Sequence, residues 1–221
     1  MFTSGLTKKE QAAAALGLLL QLFLVPRLSF AAMRAGLVSD ELGSFLQYAV
    51  VALYVLIFFF AFLRRDFDPL LDAPLSVALE VFFDYFALLF FNSALASLLL
   101  MLGKAENPNT AAVMEMASES GGMTRAMSIY LAPLVEEVLF RGFLFGSIRK
   151  KNRVAAYVVC TLCFSLYHLF GYILLDPANA IYLIQYIPAT ILLCSCYERT
   201  NTIWAPIALH MLVNAMAMKN N

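Results

Sequence analysis

The sequence predicts an all-α, polytopic transmembrane helix bundle with about seven spans. Of the 221 residues, 62% are hydrophobic and only 14% are charged, whereas soluble domains are typically about 45–50% apolar and about 25% charged. The apolar residues fall into runs of the length that crosses about 30 Å of hydrocarbon. The alternating ten-residue segments of a transmembrane β-barrel are not found. The fold class is therefore assigned from composition and run length.

Seven apolar runs separated by polar residues are the candidate spans, and the third is long enough to be tilted. Only Asp176 and Pro177 separate the fifth and sixth runs, which predicts a tight helical hairpin. The connector over residues 103–126 is predicted to lie outside the membrane and to hold a short surface helix over 111–119, with a lid over a site as the alternative. The predicted spans are roughly 11–33, 45–63, 74–102, 127–146, 154–175, 178–197 and 202–218.

The charge balance restricts the partners. Lys+Arg and Asp+Glu both number 15, so the basic footprint of a nucleic-acid-binding protein is missing. The expected partners are the lipid bilayer and a peptide or protein at the membrane. Lys and Arg are more numerous in the loops on one side of the predicted spans, and the positive-inside rule then places the N-terminus in the cytoplasm.

Ionisable residues at membrane depth are the informative ones, because each is costly unless it is paired or lies in a wet cavity. Glu136 and Glu137 are adjacent in the fourth span, and Arg141 follows four residues after Glu137. Residues four apart share a helix face, so Glu137 is predicted to pair with Arg141. Glu136 points about 100° away and is left free to act. The alternative is a structural ion pair beside a spectator glutamate.

The chain has two histidines, and both lie in predicted spans. His168 is in the fifth span, and His210 shares a face of the seventh with Asn214. A lone histidine in an apolar helix is usually a packing residue. Neither span, however, carries a charge of its own, so the partners must come from another helix, and Glu136 and Glu137 are the obvious ones. Counting about 1.5 Å per residue places these groups near the middle of the bilayer.

Glutamate, two histidines and asparagine in a dry bundle suit the hydrolysis of an acyl bond. A carboxylate helped by an imidazole takes a proton from water, while an imidazole and a carboxamide stabilise the oxyanion. Glu136, His168 and His210 are also a possible zinc set, although the H-E-x-x-H helix is absent. We expect no cofactor and keep zinc as the alternative.

Three ordered motifs, each on its own predicted helix, resemble those of the CPBP family of intramembrane proteases. This group comprises the type II CAAX prenyl proteases and the bacteriocin-processing or immunity proteins, also called the Abi family. The resemblance covers about residues 127–218, so we predict a catalytic helix core there and N-terminal transmembrane helices with a connecting loop over 1–126, in one integrated membrane domain. The motifs are Glu136-Glu137-x3-Arg141, Phe164-x3-His168 and His210-x3-Asn214.

The resemblance implies a role for each motif residue. Glu136 would act as general base on water, helped by His168. His210 and Asn214 would hold the oxyanion. Arg141 would orient the carboxylates through its ion pair. The resemblance leaves open whether such enzymes use a metal ion or only the glutamate, and we favour the metal-free mechanism because these groups suffice to activate water and bind the oxyanion.

The function predicted is therefore an intramembrane endopeptidase that acts on a membrane-associated protein or peptide. Cleavage of prenylated CaaX ends is the family's best-known activity, but a chain of this length is more typical of a bacterial cell membrane, and bacteria seldom prenylate proteins. Bacteriocins, leader peptides or signalling peptides are then the favoured substrates. The alternatives are a non-catalytic membrane scaffold or bacteriocin-immunity protein, and a small transporter, since intramembrane Glu and His also mark ion paths.

Overall fold

The computed structural model describes residues 2–104, 106–119 and 122–219, and these form an all-α bundle without strands. The predicted fold class is confirmed. Within the connector predicted over 103–126, residues 105, 120 and 121 lie outside the described residues. The helices are α1 (Lys8–Arg34), α2 (Asp40–Phe58), α3 (Phe60–Arg65), α4 (Asp68–Asp72), α5 (Pro74–Met101), α6 (Pro108–Glu119), α7 (122–149), α8 (Arg153–Leu175), α9 (Pro177–Thr200) and α10 (Trp204–Lys219).

Within the described residues, five helices rather than seven are long and apolar enough to cross a membrane, namely α1, α2, α5, α8 and α9. The other two predicted spans are helices as well, but each fails for a physical reason. The middle of α7 carries Glu136, Glu137 and Arg141, and α10 has only 16 residues. Both helices supply motif residues of the site, namely Glu136, Glu137 and Arg141 from α7 and His210 and Asn214 from α10.

Helix α7 is the centre of the bundle. It packs against α1, α2, α8, α9 and α10, while α5 packs on the outside of α9 and α10. Around the segment Glu137–Phe145 most side chains are buried, among them Val138, Leu139, Phe140 and Phe145. A helix that is buried on all sides belongs to the core of a large protein or a membrane bundle. The polar residues of α7 are thus enclosed by the surrounding helices.

Two wide π-helical turns each end two residues before a proline. In α1 the turn is Leu20–Leu24 and the proline is Pro26, and in α7 the turn is Met127–Leu131 and the proline is Pro133. A proline ring crowds the carbonyl four residues earlier in a regular α-helix, and a wider turn relieves that crowding. π-Turns are frequent at functional sites, and these two contain Gln21 and Ser128, which contact residues of the site described below.

The predicted hairpin between the fifth and sixth spans is confirmed. Helix α8 ends at Leu175, and Asp176 accepts a hydrogen bond from the Ala178 amide at 2.9 Å. The chain then continues as a 3₁₀ helix over Pro177–Gln185 before the α-helical part of α9. This turn returns α9 alongside α8 and brings Gln185 to the region of the motif residues. The division of the chain near residue 126 stays a prediction.

Candidate active site

The closed side of α7 is formed by Glu137 and its partners. Glu137 and Arg141 are fully buried, and Oε1 of Glu137 accepts a hydrogen bond from Nη1 of Arg141 at 2.9 Å. The predicted pair between these residues is therefore present. The guanidinium carbon of Arg141 lies 4.2 Å from the centre of the Phe164 ring, a cation–π distance. The phenylalanine of the second motif thus packs on the arginine of the first.

His210 is the third member of the closed side. Its Nδ1 lies 2.7 Å from Oε1 of Glu137, the oxygen that also accepts from Arg141. An ionised carboxylate only accepts hydrogen bonds, so Nδ1 of His210 carries the proton and donates. The other ring nitrogen, Nε2, then faces away from Glu137 and lies 3.9 Å from Oε2 of Glu136. His210 therefore bridges the two carboxylates.

The cavity side of α7 is formed by Glu136. Its side chain lies at the wall of a cavity of about 870 Å³, and the residue is only 2% exposed. Oε2 of Glu136 lies 3.8 Å from Nε2 of His168 and 3.9 Å from Nε2 of His210. These three side chains come from α7, α8 and α10, and Asn214 lines the same cavity. The structure thus brings the four predicted site residues to one cavity.

His168 is fixed by aromatic neighbours. Its ring is stacked on Tyr186 at 4.8 Å between centroids with an interplanar angle of 9°, and the Phe164 ring meets it edge-on at 4.7 Å. The hydroxyl of Tyr186 accepts a hydrogen bond from Nδ2 of Asn109 at 3.2 Å. Because aromatic contacts restrict both faces and edges of a ring, the direction of Nε2 towards Glu136 is set by α8, α9 and α6 together.

Asn214 has one of its two amide N–H groups engaged. Nδ2 of Asn214 donates to the backbone carbonyl of Ser128 at 2.7 Å. A carboxamide nitrogen has two donors, so a second N–H is left for a group in the cavity. The bond to Ser128 ties α10 to the π turn of α7.

The predicted connector contributes to the cavity. Helix α6 lines it through residues such as Thr110 and Val113, and Nδ2 of Asn107 donates to Oε1 of Gln185 at 2.9 Å. The surface helix predicted over 111–119 is therefore present within α6, and its contacts favour the alternative reading as a cover over the site. Leu88 and Asn92 of α5 line the opposite part of the cavity.

Sequence reasoning missed three polar residues beside Glu136. Tyr48 donates to Oε1 of Glu136 at 3.0 Å, and the Tyr48 and Tyr167 hydroxyls are 2.7 Å apart. Nε2 of Gln21 donates to the Tyr167 hydroxyl at 2.6 Å. A glutamine in the apolar first span was a signal that could have indicated Gln21. The two tyrosines follow no motif spacing, and only the packing of α1, α2 and α8 identifies them.

The donor set is not arranged as a preformed zinc site. In the part of the chain that the structure describes, no three His, Cys, Asp or Glu residues are grouped to hold a metal ion. The relevant atoms of Glu136, His168 and His210 are 3.8 and 3.9 Å apart, whereas two ligands on one tetrahedral zinc with bonds of about 2.0–2.1 Å lie about 3.4 Å from each other. A zinc ion would require these side chains to draw together.

Comparison with known proteins agrees with this arrangement. Residues 123–216 match the family described as type II CAAX prenyl endopeptidase Rce1-like. Over 114 residues the chain is 27% identical to the "Putative membrane peptidase YdiL" of Bacillus subtilis (strain 168), a stretch that covers 51% of this chain and 43% of that protein. The chain thus matches less than half the length of this curated relative. No solved structure shows significant similarity. The family match over residues 123–216 includes all three ordered motifs that meet at the cavity, so this part of the chain is similar to the CPBP-family membrane proteases.

Proposed function

We propose that the protein is an intramembrane endopeptidase that hydrolyses a peptide bond of a membrane-associated protein or peptide. The observation that carries the proposal is the position of Oε2 of Glu136, which faces Nε2 of both His168 and His210 at 3.8 and 3.9 Å inside the cavity. Its other oxygen is already bonded to Tyr48. One carboxylate oxygen is therefore left for chemistry beside two imidazoles.

These separations suit a water-mediated reaction. Distances of 3.8 and 3.9 Å exceed a direct hydrogen bond, but a water about 2.8 Å from Oε2 and from a ring nitrogen satisfies both. Glu136 takes a proton from that water, helped by His168, and the oxygen forms a bond to the carbonyl carbon of the substrate. The carbonyl electron pair moves to oxygen, and the tetrahedral intermediate then breaks its C–N bond as the proton passes to the leaving amine.

His210 and Asn214 would stabilise the oxyanion of that intermediate. Because Nδ1 of His210 faces Glu137 at 2.7 Å, Nε2 is the ring nitrogen left to face the cavity, and it would donate to the oxyanion in the imidazolium form. The N–H of Asn214 that is not bonded to Ser128 is the second donor. Preorganised donors of this kind act where charge develops in the transition state. Glu137 and Arg141 serve this role indirectly, by holding His210.

The proposed mechanism uses no metal ion. Zinc held by Glu136, His168 and His210 is the alternative, in which the ion would act as Lewis acid and lower the pKa of a bound water. The separations of 3.8 and 3.9 Å do not match a preformed tetrahedral site, so no step above depends on zinc. The metalloprotease alternative is tested directly below.

The substrate class is proposed from two sources. The matching family is described as type II CAAX prenyl endopeptidase Rce1-like. The similarity to a membrane peptidase of Bacillus subtilis instead favours a bacterial cell membrane and unprenylated peptides such as bacteriocins or leader peptides. We place the N-terminus in the cytoplasm because of the Lys and Arg distribution. A topology reporter fused to the N-terminus and to each loop in turn tests this orientation. A reporter signal that places the N-terminus outside the cytoplasm contradicts it.

The proposal is tested with the purified protein in lipid nanodiscs. Two internally quenched peptides of one sequence ending in Cys-aliphatic-aliphatic-X serve as probes, one farnesylated and one not, together with a mixture of leader peptides followed by mass spectrometry. Cleavage by the parent and its loss in Glu136→Gln is expected. Glu115→Gln makes the same change on the exposed part of α6 and should leave the rate unchanged.

The outcomes separate the alternatives. Cleavage of the probe without the farnesyl group, or of a leader peptide, identifies an unprenylated substrate class. Cleavage of the farnesylated probe alone identifies a CAAX protease. Cleavage by Glu136→Gln at the parental rate removes Glu136 as the base. A folded parent protein that cleaves none of the probes favours the non-catalytic scaffold or bacteriocin-immunity alternative.

A further inference from the structure

A row of three partly buried hydrogen bonds leads from α1 to the carboxylate of Glu136. Nε2 of Gln21 lies 2.6 Å from the Tyr167 hydroxyl, which lies 2.7 Å from the Tyr48 hydroxyl, which lies 3.0 Å from Oε1 of Glu136. Gln21 is 1% exposed. Two members of this row, Gln21 and Tyr48, lie outside the residues that match the family.

The direction of the row follows from its two ends. An ionised carboxylate accepts only, and an amide nitrogen donates only. Tyr48 must therefore donate its hydroxyl proton to Glu136, which leaves its oxygen to accept from Tyr167. The oxygen of Tyr167 in turn accepts from Gln21. Every hydroxyl in the row gives one hydrogen bond and receives one, so all the donors point towards the same carboxylate.

The row has a consequence for the geometry of the base. A carboxyl group rotates about its last bond with little restriction, so an unrestrained glutamate would present either oxygen to the cavity. With Oε1 bonded to Tyr48, the plane of the group is fixed and Oε2 faces the two histidines. A third group that orients a catalytic base is a recurring arrangement in hydrolases.

We propose that Tyr48 is a positioning residue that selects Oε2 of Glu136 as the oxygen that takes the proton, and that Tyr167 and Gln21 hold Tyr48 in place. This inference rests on the proposed function, because it assigns the orientation of the base named there. It makes α1 and α2 part of the site rather than only a membrane anchor.

The packing of α1 supports this role. A Cβ atom at Gly17 would lie 2.9 Å from the Tyr54 ring and 3.2 Å from a methyl group of Leu139. Real Cβ atoms do not approach a ring so closely, so glycine permits α1 to lie against both α2 and α7. Gln21 follows one helix turn later, at the start of the π turn. This close approach brings its short amide side chain within reach of Tyr167.

The test compares Tyr48→Phe with Tyr54→Phe. Both changes remove one hydroxyl from α2, and the Tyr54 hydroxyl donates to the Ala13 carbonyl at 2.7 Å, away from the site. With the probe peptide that the parent cleaves, we expect Tyr48→Phe to lower kcat by about 100-fold, the size of effect that misplacement of a catalytic group produces, with KM unchanged. Tyr54→Phe should keep the parental kcat, even if its melting temperature falls by as much as that of Tyr48→Phe.

A double-mutant cycle tests whether Tyr167 acts through Tyr48. Tyr167→Phe alone should lower kcat by less than Tyr48→Phe, and the double variant should be no slower than Tyr48→Phe, since residues in one network are not additive. Gln21→Leu should have a smaller effect again. Independent losses of rate that multiply would indicate separate structural effects, and would overturn the proposed row.

A spectroscopic measurement keeps the inference testable apart from turnover. The infrared carboxylate bands of Glu136 are those that disappear in Glu136→Gln. They should shift in Tyr48→Phe and stay unchanged in Tyr54→Phe. Unchanged bands and a parental kcat in Tyr48→Phe, while Glu136→Gln is inactive, overturn the inference and leave the proposed function standing. An active Glu136→Gln protein overturns the proposed function itself. If Tyr48→Phe does not fold, Tyr167→Phe and Gln21→Leu give the same readouts.

Discussion

The cavity side and the closed side of α7 carry the same residue type one position apart, in opposite surroundings. Glu137 is bonded to Arg141 and His210, and the residue is fully buried. Glu136 is bonded to a neutral tyrosine hydroxyl and faces a cavity. The helical rotation of about 100° per residue is enough to separate the two environments. Identical carboxylates thus meet different surroundings through the helices they face, and the different roles proposed for them rest on this difference.

The two carboxylates differ in whether a permanently charged side chain lies beside them. Arg141 lies one helix turn after Glu137 and forms an ion pair with it. The negative charge on the closed side therefore has a permanent counter-ion. On the cavity side, no cationic side chain of α7 pairs with Glu136. The nearest nitrogen atoms there are Nε2 of His168 and Nε2 of His210. A carboxylate without a permanent counter-ion is the one free to exchange a proton. The predictions below test this division, from the largest expected effect to the smallest.

The closed side should be the more sensitive to truncation. Glu137→Ala leaves the guanidinium of Arg141 buried without its acceptor, and breaking a buried pair costs about 3–5 kcal/mol. We expect a lower yield and a lower free energy of unfolding in detergent, measured by chemical denaturation. Glu136→Ala is the control and should stay close to the parent. A Glu137→Ala protein as stable as the parent would show that the pair carries no structural role.

Asn214 tests the oxyanion part of the cavity side. Asn214→Ala should lower kcat by about 100- to 1,000-fold, the range seen when one oxyanion donor is removed, with little change in KM because this bond matters mostly in the transition state. Asn92→Ala removes the same side chain from the α5 wall of the cavity and should leave kcat near the parental value. Equal effects of the two changes would remove Asn214 from the mechanism.

Periodicity and motif order predicted the closed side of α7 and the two histidines of the site, but not the tyrosine that binds Glu136. The pair between Glu137 and Arg141 follows from a spacing of four within one helix, and the meeting of His168 with His210 follows from the ordered motifs. Tyr48 was not predictable, because its contact with the site depends on how α2 packs against α7 and no spacing within α2 records it.

Two of the seven predicted spans, α7 and α10, do not meet the length and composition of a membrane-crossing helix, for a related reason. Apolar run length does not distinguish a helix that faces lipid from one that is enclosed by other helices. Helix α7 carries three ionisable groups in its middle, where Glu137 pairs with Arg141 within the helix and neighbouring helices supply Tyr48 and His210. Helix α10 is short. The π turns were also outside the reach of the sequence, although the proline that follows two of them was visible.

A smaller effect is expected at Asp66, in the loop between α3 and α4. Burial raises the pKa of Asp66 to about 6, although hydrogen bonds from Ser4 and the Ile203 amide act in the opposite direction. The folded state then binds the proton more tightly than the unfolded chain, so this contribution to stability is present at acidic pH and is lost as pH rises through about 6.

The measurement is the free energy of unfolding at two pH values. Between about pH 5 and pH 7 the contribution of Asp66 should fall by about 1 kcal/mol. Asp66→Asn should flatten that part of the pH dependence. A parent whose stability rises over this range, or an Asn variant with the same slope, contradicts the assignment.

The smallest expected effect is that of a chelator. After treatment with a strong chelator and dialysis, the protein should keep its turnover of the probe peptide within about twofold, because the general-base catalysis proposed for Glu136 needs no ion. Bound zinc is measured on the same samples. Stoichiometric zinc whose removal abolishes turnover, and whose return restores it, would make Glu136, His168 and His210 ligands.

The central claim is that Glu136 acts on the substrate while Glu137 holds the site together. The most direct measurement is therefore turnover and melting temperature of Glu136→Gln and Glu137→Gln, side by side in the same nanodiscs. The account predicts that Glu136→Gln keeps the parental melting temperature and loses turnover, and that Glu137→Gln melts at a lower temperature. A Glu136→Gln protein that cleaves the probe at the parental rate, or a Glu137→Gln protein with the parental melting temperature, contradicts it.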